Sequence, residues 1–142
     1  MVAQGTIFFG RKHMNIEIPV APGESIDKIT IVAIKRSRIS DPEKLAHVER
    51  EFQELMEVFD TRIKPDESLL QLQEALRAVN EEIWIVEDDI RDCERRKDFG
   101  SVFVELARQV YFKNDRRAAL KREINICLAS PIVEEKSYSP YA

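Results

Sequence analysis

Apolar residues recur at helical spacing through most of this chain. The clearest run is Leu69, Leu72, Leu76, Val79, Ile83, Val86, Ile90 and Cys93, an unbroken heptad seam that predicts a helix over residues 66–97. Leu45, Val48, Phe52, Leu55 and Phe59 step by three and four and predict a helix over 41–62. Ser40-Asp41-Pro42-Glu43 marks its start. Ser40 and Glu43 have capping-box spacing, and Pro42 falls in the first turn, where no amide hydrogen is needed. Ahead of it, Ser25 caps a first helix over 25–39, whose middle, Ile29 to Ile34, is apolar on nearly every side. Such a helix asks for burial against several neighbours. A fourth helix spans 99–129, capped by Asp98 and stopped by Ser130-Pro131. Asn15 to Val20 alternates apolar and polar residues and, with Pro19, suits an edge strand or an extended arm. The expected fold is all-α: a long antiparallel hairpin, coiled-coil-like, packed with a shorter helical pair in a bundle. Residues 1–22 form an extended arm, 23–130 one helical domain and 131–142 an extended tail.

The short link makes the third and fourth helices antiparallel neighbours, so their seams can be paired outward from the turn. Cys93 meets Phe103, Ile90 meets Leu106 and Val86 meets Val110; further out, Leu76 meets Leu120, Leu72 meets Ile124 and Leu69 meets Cys127. Two central layers break the apolar rule, because Ile83 faces Lys113 and Val79 faces Arg117. The same register sets Asn80 beside Asn114, Glu82 beside Arg116 and Gln73 beside Lys121. A cationic waist in an apolar hairpin needs compensation. One reading is a structural network with Glu82, Asn80, Asn114 and acids from the first two helices. In that case replacing Lys113 and Arg117 by Met and Leu leaves stability equal or higher. The other reading is a bound small anion, a phosphate or sugar nucleotide, held by Lys113, Arg117, Asn114, Asn80, Arg116 and Glu82. Both seam thiols, Cys93 and Cys127, are expected to be buried and too far apart to bond within one chain.

Trp84 and Ile85 lie across the helix from the seam, so the long helix is apolar all round at this point. The second helix is about two thirds as long as the third, which spans roughly 45 Å. The uncovered remainder makes Trp84 and Ile85 candidates for a homodimer interface.

Composition narrows the function classes. With 142 residues the chain holds one core, and 22 Lys and Arg against 26 Asp and Glu give a net charge of −4, which argues against non-specific nucleic-acid binding. Two cysteines and two histidines do not supply a usual zinc site. No run approaches the roughly 20 apolar residues of a membrane helix, and Arg11 and Lys12 follow the short Ile7–Phe9 run rather than precede it. A cytoplasmic location is expected, with Met14 as a candidate start.

Glu81, Glu82, Glu87, Asp88 and Asp89 raise a metal reading through likeness to all-helical nucleotide pyrophosphohydrolases. That motif wants a third Glu where Ile85 stands, and Glu105 is followed three residues later by Arg108 rather than Asp. Interleaved bases such as Arg91 make a solvated face the better account. The stretch IKRSRISDPEKLAHVEREF has the rhythm of helical chorismate mutases, but the first helix is too short to carry their arginines. No serine or cysteine stands in a nucleophile's setting. No catalytic residue, metal ligand or cofactor is therefore assigned.

Three stretches carry a family resemblance: IEIPVAPGESIDKITIVAIKRSRISDPEKLAHV, LRAVNEEIWIVEDDIRDCERRKDFGSVFVELARQVYFKNDRRAALKREIN, and VEEKSY. From about Met14 to Tyr138 the chain resembles a bacterial family of short proteins known only as a domain of unknown function, whose members often sit near glycosyltransferase and surface-polysaccharide genes. The resemblance implies a bacterial cytosolic protein with an accessory role beside envelope-sugar enzymes. It transfers no active-site residue. Together with the residues, it points to a non-catalytic helical interaction or scaffold protein, homodimeric or paired with another protein. The alternative is a small-molecule binder or enzyme at the waist.

Overall fold

A computed structural model describes residues 14–141. Four helices follow one another: α1 (Pro22–Arg38), α2 (Pro42–Arg62), α3 (Glu67–Arg96) and α4 (Ser101–Cys127). The all-α expectation holds. α3 and α4 form the long hairpin, and α1 packs on α2, α3 and α4 alike. Its apolar middle thus finds the several neighbours it requires, with Ile26, Ile29, Val32 and Ile34 all buried. α2 packs on α1, and its Phe59 joins Ile26, Ile29, Leu69, Leu76, Val79, Leu120 and Ile124 in the core.

The helix starts differ from expectation in three places. α1 begins at Pro22, with Ala21 rather than Ser25 at its cap. Proline's fixed φ suits the first turn, and Gly23 lets that turn press against α4. A Cβ at Gly23 would lie 2.4 Å from the Lys121 carbonyl oxygen, so any side chain there collides with backbone. At the hairpin turn, Lys97 adopts a left-handed conformation (φ 55°) and closes α3. Asp98 then accepts a hydrogen bond from the Gly100 amide at 3.1 Å within the turn, and it does not cap α4. Asp41, not Ser40, caps α2 by accepting from the Lys44 amide at 2.9 Å. Asp66 caps α3 through the Leu69 amide at 2.8 Å, as its position between Pro65 and the seam suggests.

The α3 seam is buried at Leu69, Leu76, Val79, Val86 and Cys93. The α4 seam drifts. Leu120 and Ile124 are buried, but Cys127 is exposed, contrary to expectation, and Leu128 packs against the core instead. A helix turns every 3.6 residues, so a strict seven-residue repeat wanders off the packed face by its end. Phe99, expected on the same seam, stands half-exposed in the turn with its ring edge-on to Phe103 at 5.2 Å.

Among the described residues, 14–20 carry no regular secondary structure, and Pro22, expected in the arm, opens α1; residues 1–13 of the expected arm lie outside them. No helix among them is long and apolar enough to cross a membrane. Residues 131–141 are irregular and run back along α4.

Candidate functional site

α1 crosses the waist of the hairpin and brings one acid into it. Asp27 is 1% exposed and lies between α3 and α4. Its carboxylate accepts two hydrogen bonds from Arg117, one from Nε at 2.9 Å and one from Nη2, in a fork-to-fork pair. Asn80 Nδ2 donates to Asp27 Oδ1 at 2.9 Å and to Thr30 Oγ1 at 2.7 Å. Thr30 in turn donates to the Asp27 backbone carbonyl at 2.7 Å. No buried side-chain polar atom among the described residues lacks a partner. The Asp27 hydrogen bond raises the Arg117 guanidinium above its ordinary value, against the opposing effect of burial.

The other waist cation is also answered. Lys113 Nζ reaches Glu82 at 2.6 Å across the hairpin. Glu82 therefore pairs three residues before the expected Arg116, which is exposed. Asn80 and Asn114 do not pair with each other, since Asn114 donates to the Val110 carbonyl of its own helix at 2.8 Å. The expected flanking pairs, Asn80 with Asn114 and Glu82 with Arg116, do not form. The fold brings together Asn80 with Arg117 through Asp27, and Lys113 with Glu82, and leaves Asn114 and Arg116 apart.

A second layer joins α1 to α4 one turn further along. Lys121 pairs with Glu24 of α1 and, at 3.1 Å, with Glu134 of the tail, not with Gln73. Burial works against its ammonium, and the two carboxylates outweigh it, so the net shift is upward. Asn125 is 2% exposed, and its Oδ1 accepts from the Gly23 amide at 2.7 Å. Gly23, Glu24, Asp27, Thr30, Lys121 and Asn125 were not among the expected site residues. A signal existed for one of them. Asp27 is the one carboxylate between Ser25 and Ile34, a stretch otherwise rich in isoleucine, and a buried acid calls for a cation.

Trp84 is half-buried, with the Arg38 guanidinium 5.9 Å from its ring centre. It borders a hollow of about 270 Å³ that also touches Ile31, Asn80 and Arg117. Ile85 is 48% exposed, and its neighbours three and four residues away are Glu81, Glu82, Asp88 and Asp89. A two-fold contact centred on Ile85 would set acids against acids. A larger cleft of about 950 Å³ lies between α4 and the tail, bordered by Asn114, Arg117, Lys121, Asn125, Tyr138 and Tyr141. Among the described residues, no group of three or more His, Cys, Asp or Glu side chains is placed to hold a metal. Glu87 is instead paired with Arg91 at 2.5 Å, and Glu81 with Arg77 at 2.7 Å.

Chemically, the waist is a joint. It fastens α1 to both arms of the hairpin through groups that satisfy one another. Compared with family models, curated proteins and solved structures, the chain gives no match.

Proposed function

We propose that this chain is a non-catalytic helical interaction protein that works as a homodimer in the bacterial cytoplasm, accessory to envelope-polysaccharide enzymes. One observation carries the reading: the waist cations are neutralised inside the chain while large apolar side chains lie on the surface at both ends of the hairpin. Arg117 answers Asp27, Lys113 answers Glu82 and Lys121 answers Glu24 and Glu134. A phosphate or sugar-nucleotide site would need cations free to meet the ligand's charge. At the tip, Phe99 (50%), Val102 (60%) and Val104 (52%) are exposed, and at the open end so are Ile126, Ile132 and Val133. Such residues favour association when another surface covers them.

The shape supports the same reading. α1 has 17 residues, roughly 25 Å, against roughly 45 Å for the 30 residues of α3. The tip of the hairpin therefore stands clear of α1, held by its own seam of Ile90, Cys93, Phe103 and Leu106. Ile85 suits a basic or mixed partner better than its own copy, because acids surround it; Trp84 lies beside it. The bacterial and envelope-sugar setting rests on the sequence resemblance. Sedimentation equilibrium of the wild type tests the homodimer, and a monomer at high concentration would end that reading. A pull-down from the native organism tests the accessory role, with an envelope-sugar enzyme as the expected partner and its absence counting against it.

A further inference from the structure

The tail beyond α4 is attached in an unusual way. It turns back at Leu128–Pro131 and runs antiparallel to α4. Glu134 meets Lys121, Glu135 meets Arg122 at 2.6 Å, and Lys136 lies 3.6 Å from Asp115. At its far end the Tyr141 hydroxyl donates to Asp115 at 2.6 Å, and its ring lies 5.4 Å from Tyr111 and 5.0 Å from Phe112. These contacts are side chain to side chain. No backbone–backbone hydrogen bond ties residues 131–141 to α4 among those described.

We propose that this strap is exchanged between two copies, so that residues 131–141 of each chain lie on α4 of the other. The proposal rests on the homodimer reading and names its interface. Two observations carry it.

Contacts made only by side chains are the same whichever chain supplies the strap, so exchange loses none of them. Within one chain the strap is also a poor fit. Its residues are all exposed, and it bridges a cleft of about 950 Å³ rather than filling it. Exposed ion pairs of this kind hold a segment only weakly.

Exchange has to open the reversal, where Ala129 sits at φ 51° and the Ala129 and Ser130 amides donate to the Ile126 and Asn125 carbonyls at 3.1 and 2.8 Å; those bonds are the cost set against the new burial.

The apolar residues left exposed at this end cluster around the hinge: Ile126 at 65%, Ile132 at 40% and Val133 at 41%. Exchange draws two such ends together across a two-fold axis, and there each covers the other. That new burial is what favours the second copy over the chain's own strap.

The test uses the full chain carrying Cys127→Ser, which removes the exposed thiol, while Cys93 stays buried. One preparation adds Ala118→Cys on α4, and the other adds Ser139→Cys on the strap. Both positions border the cleft, and neither makes a strap-holding contact. The two are mixed, equilibrated and treated with a short bis-maleimide. The expected result is a covalent heterodimer joined from 118 to 139, its yield rising with concentration. Adding Glu135→Lys and Tyr141→Ala to the strap should abolish it. Ala119→Cys, exposed beside the same cleft, serves as a second anchor on α4. The double variant Ala118→Cys/Ser139→Cys should likewise give linked dimers.

Cross-linking confined to single chains at every concentration would overturn the proposal. If the wild type sediments as a dimer without that cross-link, strap exchange fails and the homodimer stands. If it sediments as a monomer, both fail.

Discussion

Asp27 and Arg117 make the waist a matter of single residues. Arg117 keeps 27% of its side chain in water, whereas Asp27 is almost wholly enclosed. Removing the arginine alone therefore strands a buried carboxylate. Arg117→Leu should cost about 3 kcal/mol in urea unfolding, and Asp27→Asn added to it should restore most of the loss. This reverses the expectation that Met and Leu at 113 and 117 leave stability equal or higher. That expectation included acids from the first two helices, but not that one of them, Asp27, is almost wholly enclosed and left without its partner. Gly23→Ala should cost about 1–3 kcal/mol, because the added methyl meets the Lys121 carbonyl and cannot move it cheaply. Lys121 sets a pH dependence. Its folded value is raised, so its contribution is complete below the ordinary 10.5 and is lost as pH climbs through the higher folded value. Urea midpoints taken at stepped alkaline pH should fall more steeply for the wild type than for Lys121→Met. At this scale the sequence was legible for charge and opaque for partner. Lys113 and Arg117 were visible as misfits in an apolar seam, but Asp27 lies 90 residues from Arg117 and shares no local pattern with it.

The elements were the most legible part of the molecule, because helical periodicity is a local property. The seam of α3, the Asp66 cap and the tight hairpin turn follow from spacing and from Pro and capping residues. The ends of elements followed less well. Extrapolating the heptad through α4 carried Cys127 onto the packed face, whereas the true turn angle delivers Leu128 there. The two thiols make this measurable. With a thiol reagent under native conditions, Cys127 should react quickly and Cys93 only on unfolding. Equal protection of both would restore the strict heptad, and fast reaction of both would mean that the α3–α4 seam is open at its tip. α1 gives the other lesson at this scale. Its all-round apolarity correctly announced several neighbours, but not which of them would receive its buried acid, Asp27. That depends on how far α1 reaches along the hairpin, and Gly23 sets this by letting backbone approach backbone.

For the whole molecule, the account is that polar groups at the waist join helices and that exposed apolar ends join molecules. The tail could not be placed from its own sequence, since an extended segment has no period and its anchors are single charges and rings on α4. The two uses of the surface differ in what they couple to stability. A protein that associates gains stability by mass action with its own concentration, and one that binds an anion gains it with the anion. The decisive measurement is therefore the melting temperature of the wild type, taken across a wide range of protein concentration and, at each, with and without phosphate and a nucleotide sugar. The account predicts that the melting temperature climbs with protein concentration and is unmoved by either anion. A melting temperature indifferent to protein concentration and raised by phosphate would contradict it.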